Sequence, residues 1–141
     1  MIGVVVVTHG RLATELLNAA ETIVGELPQF AAVSIGWHDE VENAREEISR
    51  AITRVQGTEG VLVLTDMFGG TPANLGMAFL EKDRVEVITG VNLPMLIKLT
   101  RLRTSSDLLG VAREMREHGR NAIWVASDLL TADKEREKDK Q

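Results

Sequence analysis

Short apolar runs alternate along the chain with longer segments in which apolar residues recur every three or four positions. Apolar runs of four to eight residues, bounded by turn residues, are typical of strands that are covered on both faces in a parallel sheet. The pattern therefore predicts strands at residues 2–7, 30–35, 61–65, 85–89 and 122–126.

The longer segments predict amphipathic helices between these strands. Apolar residues form one stripe over residues 12–24 and another over residues 41–55. Polar caps followed by an acid three residues later, first-turn prolines and a terminal glycine predict further helix ends. These positions are the caps Asp39 and Thr104, the prolines Pro72 and Pro94, and the left-handed terminus Gly119.

Strand–helix alternation with short connections predicts an α/β fold built on a single doubly wound, mainly parallel sheet with helices on both faces. In the commonest strand order for a small chain of this kind, the first strand lies between the second and the third. We expect the domain to span residues 1–130, followed by a charged C-terminal tail over 131–141 that forms a frayed helix or a disordered end.

Composition and charge argue against several classes of protein. The chain has 141 residues, of which 44% are hydrophobic and 26% charged, as in an ordinary globular domain. A net charge of −5 argues against nucleic-acid binding. The sequence shows no apolar stretch long enough to predict a membrane span. It also shows no basic leader, so secretion is not expected. The absence of cysteine removes disulfides, thiolate ligands and a thiol nucleophile, which fits a reducing compartment.

The first and third predicted strands each end beside an ionisable residue. His9 follows the first strand in the segment THGR, and Asp66 follows the third in TDMFGGTPAN. Ligands of doubly wound sheets gather at the carboxyl ends of strands, which lie about 4.8 Å apart, so we expect the two side chains to meet. A carboxylate that accepts a hydrogen bond from one imidazole nitrogen leaves the other nitrogen free as a nucleophile. The two residues are therefore candidate catalytic residues.

The residues after the third predicted strand indicate an anion-binding turn. Gly69 and Gly70 precede Thr71 and Pro72 at a predicted helix start, with Thr71 as a candidate cap. Amide groups in such a turn, together with the helix dipole, favour a phosphoryl dianion. The sequence thus predicts a phosphohistidine site with the phosphoryl-binding residues Thr8, Gly10, Gly69, Gly70 and Thr71.

Each signal also has a purely structural interpretation. A histidine at a strand end can be an ordinary hydrogen-bonded residue, and an aspartate followed by glycines can form a turn and a helix start. Only their joint position at one edge of the sheet favours chemistry over structure.

The remaining aromatic and histidine residues leave alternatives open. Trp37 and His38 follow the second predicted strand and so lie at the same edge as His9. They are candidate partner contacts, and the alternatives are a half-buried loop anchor for Trp37 and an exposed loop residue for His38. His118, in the last helical turn, has a structural interpretation. The three histidines show no metal-ligand spacing.

The segments THGR and TDMFGGTPAN resemble the IIA domains of the mannose/fructose/sorbose class of the bacterial phosphoenolpyruvate-dependent sugar phosphotransferase system (PTS). The resemblance covers residues 1–130. It implies a cytoplasmic phosphocarrier in which His9 accepts a phosphoryl group from HPr and passes it to a IIB partner. It further implies that Asp66 supports the imidazole and that the turn at 69–72 lies against the phosphoryl group. No cofactor or metal is expected, because no phosphoanhydride is polarised.

Members of this family are commonly homodimers that exchange a C-terminal strand, which corresponds here to residues 122–126. Two features depart from the family pattern. Thr71 stands where serine is frequent, although the hydroxyl is retained. The chain also ends after one domain, so the expected acceptor is a separate IIB protein, with membrane association only through partners. The alternative is a regulatory role in which phosphorylation itself is the output.

Three other functions are weaker interpretations. A receiver-like module would use Asp66 as phosphoacceptor, but it needs two acids after the first strand and a lysine after the fifth, which this sequence lacks. A non-catalytic module would bind a small anion at the glycine turn. A phosphotransferase subunit of the dihydroxyacetone kinase system has a similar fold, but the glycine turn fits the sugar-transport class better.

Overall fold

The computed structural model describes residues 1–104 and 107–139, apart from the side chains of 132, 133, 138 and 139. The strands are β1 (Gly3–His9), β2 (Phe30–Ile35), β3 (Val61–Thr65) and β4 (Val85–Thr89). The helices are α1 (Leu12–Val24), α2 (Val41–Val55), α3 (Gly70–Met77), α4 (Leu93–Leu102), α5 (Leu108–Asn121) and α6 (Ala126–Asp139).

The four strands form one parallel sheet in the order β2-β1-β3-β4. The predicted fold class is therefore confirmed, as is the position of the first strand between the second and third. The first four predicted strands are also confirmed, except that β1 extends to His9. That residue is the last of the strand, paired with Ile35 of β2.

The core has two layers because successive side chains of a strand point to opposite faces. Val4 and Val6 of β1 pack on one face with α1, α4 and α5. Val5 and Val7 pack on the other with α2 and α3. This alternation explains the unbroken apolar run of β1, because helices cover its side chains on both faces of the sheet.

The chain reverses its direction across the sheet at β1. It crosses from β1 to β2 through α1 on one face, and from β2 to β3 through α2 on the other. The carboxyl ends of β1 and β3 are therefore adjacent ends from which the chain leaves in different directions, the usual place for a ligand site in such sheets.

The predicted strand at 122–126 is wrong. Ala122 follows α5, the next three residues are irregular, and Ala126 already begins α6. Ile123, Trp124 and Val125 are 75%, 60% and 64% exposed, because no described strand pairs with this segment. An apolar run forms a strand only where the edge of a neighbouring strand makes hydrogen bonds with its backbone N–H and C=O groups.

Helix α6 crosses the predicted boundary between the domain and the tail at residue 130. Its described side chains are all exposed, so the packed layers end with α5. The domain boundary stays a prediction. None of the described helices is both long and apolar enough to cross a membrane.

Several predicted helix ends need correction. Asp39 precedes the cap of α2, which is Glu40, and Asp107 rather than Thr104 caps α5 by accepting from the Gly110 amide at 3.0 Å. Gly119 lies inside α5, which continues to Asn121, and it does not have the positive φ of a left-handed terminus. Its missing side chain makes room for α4, since a β-carbon there would lie 2.7 Å from the Met95 methyl group. The two first-turn prolines are confirmed, in α3 and α4.

The amino edge of the sheet is closed by Arg103, which is only 5% exposed. Its Nε donates to the Ile2 carbonyl at 3.1 Å and its Nη2 donates to Gln29 Oε1 at 3.4 Å. The guanidinium lies 4.7 Å from the centre of the Phe30 ring, which contributes a cation–π contact. Burial lowers the pKa of Arg103.

Candidate active site

The sheet brings His9 and Asp66 together as predicted. His9 ends β1, and Asp66 directly follows β3, the neighbouring strand. The His9 Nδ1 and Asp66 Oδ2 atoms are 2.8 Å apart. The imidazole side chain is 51% exposed, whereas the carboxylate beneath it is 13% exposed. The histidine is thus accessible, and its partner is largely covered.

One carboxylate oxygen fixes both the ring and the main chain of His9. Besides contacting the ring, Asp66 Oδ2 accepts a hydrogen bond from the His9 amide at 3.0 Å. The other oxygen, Oδ1, accepts from the Met67 amide at 3.1 Å. Asp66 therefore holds the imidazole against the end of its own strand, and neither part can shift without losing a charge-assisted hydrogen bond.

The electrostatics of the pair define the state of the ring. Burial raises the pKa of Asp66, but hydrogen bonds from the His9 ring and amide, with the charge of His9, outweigh it and hold that pKa below its usual value. The carboxylate is therefore ionised at neutral pH and only accepts hydrogen bonds. In neutral His9, the Nδ1 atom consequently carries the proton, and Nε2 carries the lone pair.

The Nε2 side of the ring faces the glycine turn. A β-carbon on Gly70 would lie 3.2 Å from His9 Cε1 and Nε2, and Gly70 has a φ of +83°. Gly69, with a φ of +84°, is the N-cap of α3. Two consecutive left-handed residues without side chains bring the first turn of α3 against the imidazole.

An open cavity of about 470 Å³ lies over this surface. Of the described residues that line it, only His9 is ionisable. The others are three glycines, one residue with a hydroxyl group and two residues with apolar side chains: Gly10, Gly36, Gly70, Thr71, Ile35 and Trp37.

The other predicted phosphoryl-binding residues differ in their placement. Gly10 lines the cavity with a φ of +54°, but its amide donates to the Ile35 carbonyl at 2.8 Å. Thr71 is exposed at the second position of α3, so the prediction that it caps this helix is wrong.

Thr8 is not brought to the cavity. It is fully buried, and its hydroxyl accepts a hydrogen bond from the Ala13 amide at 2.7 Å. The reason is strand alternation: Thr8 points to the α1 face and His9 to the other. The hydroxyl thus caps the start of α1 from within the protein.

Trp37 and His38 lie exposed in the loop after β2. Trp37 is 94% exposed, so the half-buried loop anchor is wrong for this residue. Sequence reasoning missed two exposed apolar residues in the loop after β3, Met67 and Phe68, at 55% and 77% exposed. Their position inside the TDMFGGTPAN segment was the available signal.

The fold and this edge define a class: a doubly wound α/β protein with a carboxylate-supported histidine and a glycine turn at its switch point. The family model described as PTS system fructose IIA component matches residues 3–115. The chain belongs to that family, and the resemblance inferred from the two segments is confirmed.

Named relatives agree with this assignment. The mannose-specific EIIAB component of Escherichia coli (strain K12) is 35% identical over 132 residues, covering 86% of this chain and 39% of that protein. This chain thus spans about two-fifths of that relative's length. The fructose-specific EIIA component of Bacillus subtilis (strain 168) is 29% identical, covering 92% of this chain and 90% of the relative.

Solved structures show the same fold. The EIIA component from Streptococcus agalactiae has a TM-score of 0.82 at 23% identity, covering 91% of this chain and 99% of that one. The mannose/sorbose-specific IIA subunit from Enterococcus faecalis has a TM-score of 0.77 at 28% identity, covering 88% and 93%.

Proposed function

We propose that this PTS IIA protein is a phosphocarrier that accepts a phosphoryl group from phospho-HPr on His9 and passes it to a IIB partner. One observation carries the proposal: Asp66 holds Nδ1 of an exposed histidine, while Nε2 faces an open cavity beside the glycine turn. The nucleophilic atom is therefore Nε2.

The transfer step uses groups already in place. The Nε2 lone pair attacks phosphorus as the P–N bond of the donor phosphohistidine breaks, and the donor imidazole leaves with that electron pair. The His9 ring then carries both the phosphoryl group and the Nδ1 proton, so it is formally an imidazolium. The Asp66 carboxylate at 2.8 Å stabilises that positive charge. Passing the group to IIB reverses these roles.

The phosphoryl oxygens would be held by amide groups at the start of α3. The first amides of a helix have no acceptor within it, and the helix dipole adds positive potential there. Gly70 and Thr71 supply these amides, and Pro72 has none to supply. Because the transfer is largely a matter of positioning and charge, this preformed cradle is the main contribution of the turn.

The proposal has a main version and an alternative. In sugar uptake, a IIB protein takes the group from His9. In a regulatory branch, or in a module that only binds an anion, the phosphorylation state or the bound ligand is the output. The relatives named as mannose-specific and fructose-specific components favour uptake. In either version the protein works in the cytoplasm.

The first test is phosphorylation of the purified protein with phosphoenolpyruvate, the general phosphotransferase enzyme and HPr. An acid-labile, alkali-stable label that maps to His9 supports the phosphocarrier. An alkali-labile label on Asp66 would contradict it. Saturable phosphate binding without a covalent label would instead favour the anion-binding module.

A homodimer is the second part of the proposal. No described strand pairs with the exposed segment at 123–125 or with the outer edge of β4, where Val85 has an isolated bridge to Glu81. A groove of about 300 Å³ between β4 and α5 runs beside that edge. Light scattering on the wild type and on Trp124→Asp tests it: we expect a dimer that the charged substitution separates into monomers.

A further inference from the structure

Trp37 is an exposed side chain on a fixed turn. The Gly36 amide donates to Asp39 Oδ2 at 2.6 Å, and the Asp39 amide donates back to the Gly36 carbonyl at 3.2 Å. These two bonds close the backbone turn that carries the indole, which is 94% exposed. Because the main chain of this turn is already ordered, a partner that covers the indole needs to order only the side chain.

The strand order places apolar side chains on both sides of His9. β2 and β3 flank β1, so the loop with Trp37 lies on one side of the histidine and the loop with Met67 and Phe68 lies on the other. The chain has only five aromatic residues, three Phe and two Trp. Two of the five are therefore exposed at this one edge, and Trp37 lines the same cavity as His9.

We propose that Trp37, Met67 and Phe68 form an apolar collar that docks the phosphohistidine-bearing donor protein, with Trp37 as the main anchor. The inference rests on the proposed function. The donor protein is the expected occupant, because its phosphorus must come within bonding distance of Nε2. Its surface must therefore cover the side chains beside His9. A second copy of this chain seated there would block the histidine instead.

The collar also has a chemical consequence for the transfer. Apolar contacts around the two histidines exclude water, which would otherwise compete for the phosphoryl group. The matching donor surface is therefore apolar around its own phosphohistidine. Large aromatic side chains at the centre of an interface commonly carry most of its binding energy, which assigns the largest effect to Trp37.

The test compares two donors on the same variants. Phospho-HPr must dock, whereas phosphoramidate transfers its phosphoryl group to Nε2 with release of ammonia and needs no protein surface. For Trp37→Ala we expect the ratio of the HPr rate to the phosphoramidate rate to fall about tenfold or more, and for Trp37→Phe to fall less. Ile23→Ala is the matched control, because Ile23 is 58% exposed near the far end of α1; both of its rates should equal the wild type.

Each other outcome overturns the inference. An unchanged ratio for Trp37→Ala would show that the indole does not anchor the donor. An equal loss with both donors would show that Trp37 acts on the histidine rather than on docking. Labelling of the wild type by phosphoramidate but not by phospho-HPr would remove the named occupant. Failure of both donors to label His9 would instead refute the proposed function itself.

Discussion

The two ends of β1 solve the same problem in opposite ways. Each end has an ionisable side chain hydrogen-bonded to a neighbouring element: Arg103 at the amino edge and His9 at the carboxyl edge. Arg103 is 5% exposed and bonds to a carbonyl and an amide oxygen, with an aromatic ring beside it. The His9 side chain is 51% exposed, and among the described residues only one of its ring nitrogens has a partner.

This difference separates a structural polar group from a reactive one. At the amino edge the chain covers the guanidinium and directs its bonds inward, so the arrangement contributes to stability. At the carboxyl edge the chain directs one nitrogen inward and leaves the other facing a cavity. Substitutions at the two ends should therefore affect different measurements, stability at one and phosphoryl transfer at the other.

The largest expected effect is the loss of labelling in His9→Ala. Removing the imidazole removes the nucleophile, so phosphorylation by phospho-HPr should fall to background. Because the side chain is half exposed, the free energy of unfolding should change by no more than about 1 kcal/mol. A urea titration provides the control for folding. Residual stoichiometric labelling of this variant would place the phosphoryl group elsewhere.

Asp66→Asn should weaken transfer without abolishing it. The amide side chain cannot accept from both the ring and the main chain of His9 with the strength of a carboxylate, and it carries no charge against the imidazolium. A misplacement of a reacting group by about 1 Å costs about a hundredfold in rate, and we expect a loss of this size. Rapid-quench measurement of labelling checks this. A wild-type rate would show that the 2.8 Å contact has no part in the transfer.

Arg103→Met should show the reverse pattern at the other end of the strand. The substitution keeps an apolar stem but leaves the Ile2 carbonyl and the Gln29 amide oxygen without this donor. An unsatisfied buried group such as the Ile2 carbonyl costs about 1–3 kcal/mol, so the urea midpoint should fall clearly. Labelling of His9 in the folded protein should match the wild type. A combined loss would mean that the two ends are coupled.

Gly70→Ala should have a smaller effect confined to the carboxyl edge. The new β-carbon would lie 3.2 Å from Cε1 and Nε2 of His9. An alanine in the left-handed conformation of Gly70 also costs about 1–2 kcal/mol. We expect transfer to slow by about tenfold, because the ring or the turn must move. Thr71→Ala, which adds no bulk, serves as the comparison. Equal rates for both variants would remove the steric argument.

The smallest effect is a pH dependence of stability. The folded pKa of Asp66 lies below its usual value of 3.8, so its interactions stabilise the fold above that pH. This contribution is lost as the pH falls through the lower, folded pKa. The stability difference between the wild type and Asp66→Asn should therefore shrink under acid. Urea midpoints at pH 7 and at pH 3 or below measure it, and a constant difference would contradict the shifted pKa.

The sequence was most informative where one strand edge faces another. The apolar runs of β1 and β3 determine both their burial and the meeting of His9 with Asp66, because parallel neighbours bring their carboxyl ends together. The run at 122–126 is also apolar but has no described partner edge, and composition alone does not show where a partner strand lies. This is why it was predicted as a strand and is exposed irregular chain instead.

The details of the site depended on which face each side chain occupies. Thr8 and His9 are adjacent in sequence, yet one points inward to α1 and the other to the cavity. A prediction made from proximity along the chain placed both hydroxyl and imidazole at the site. The alternation of a strand that extends two residues further than expected, to His9, separates them.

The shared carboxylate oxygen gives the protein an internal reporter. Asp66 Oδ2 accepts from both the His9 ring and the His9 amide, so the two donors divide its electron density. When the ring becomes positively charged, its bond to Oδ2 strengthens and the amide bond weakens. The backbone amide resonance of His9 should therefore move with the charge of the imidazole, which makes one proton in the main chain a readout of the state of the ring.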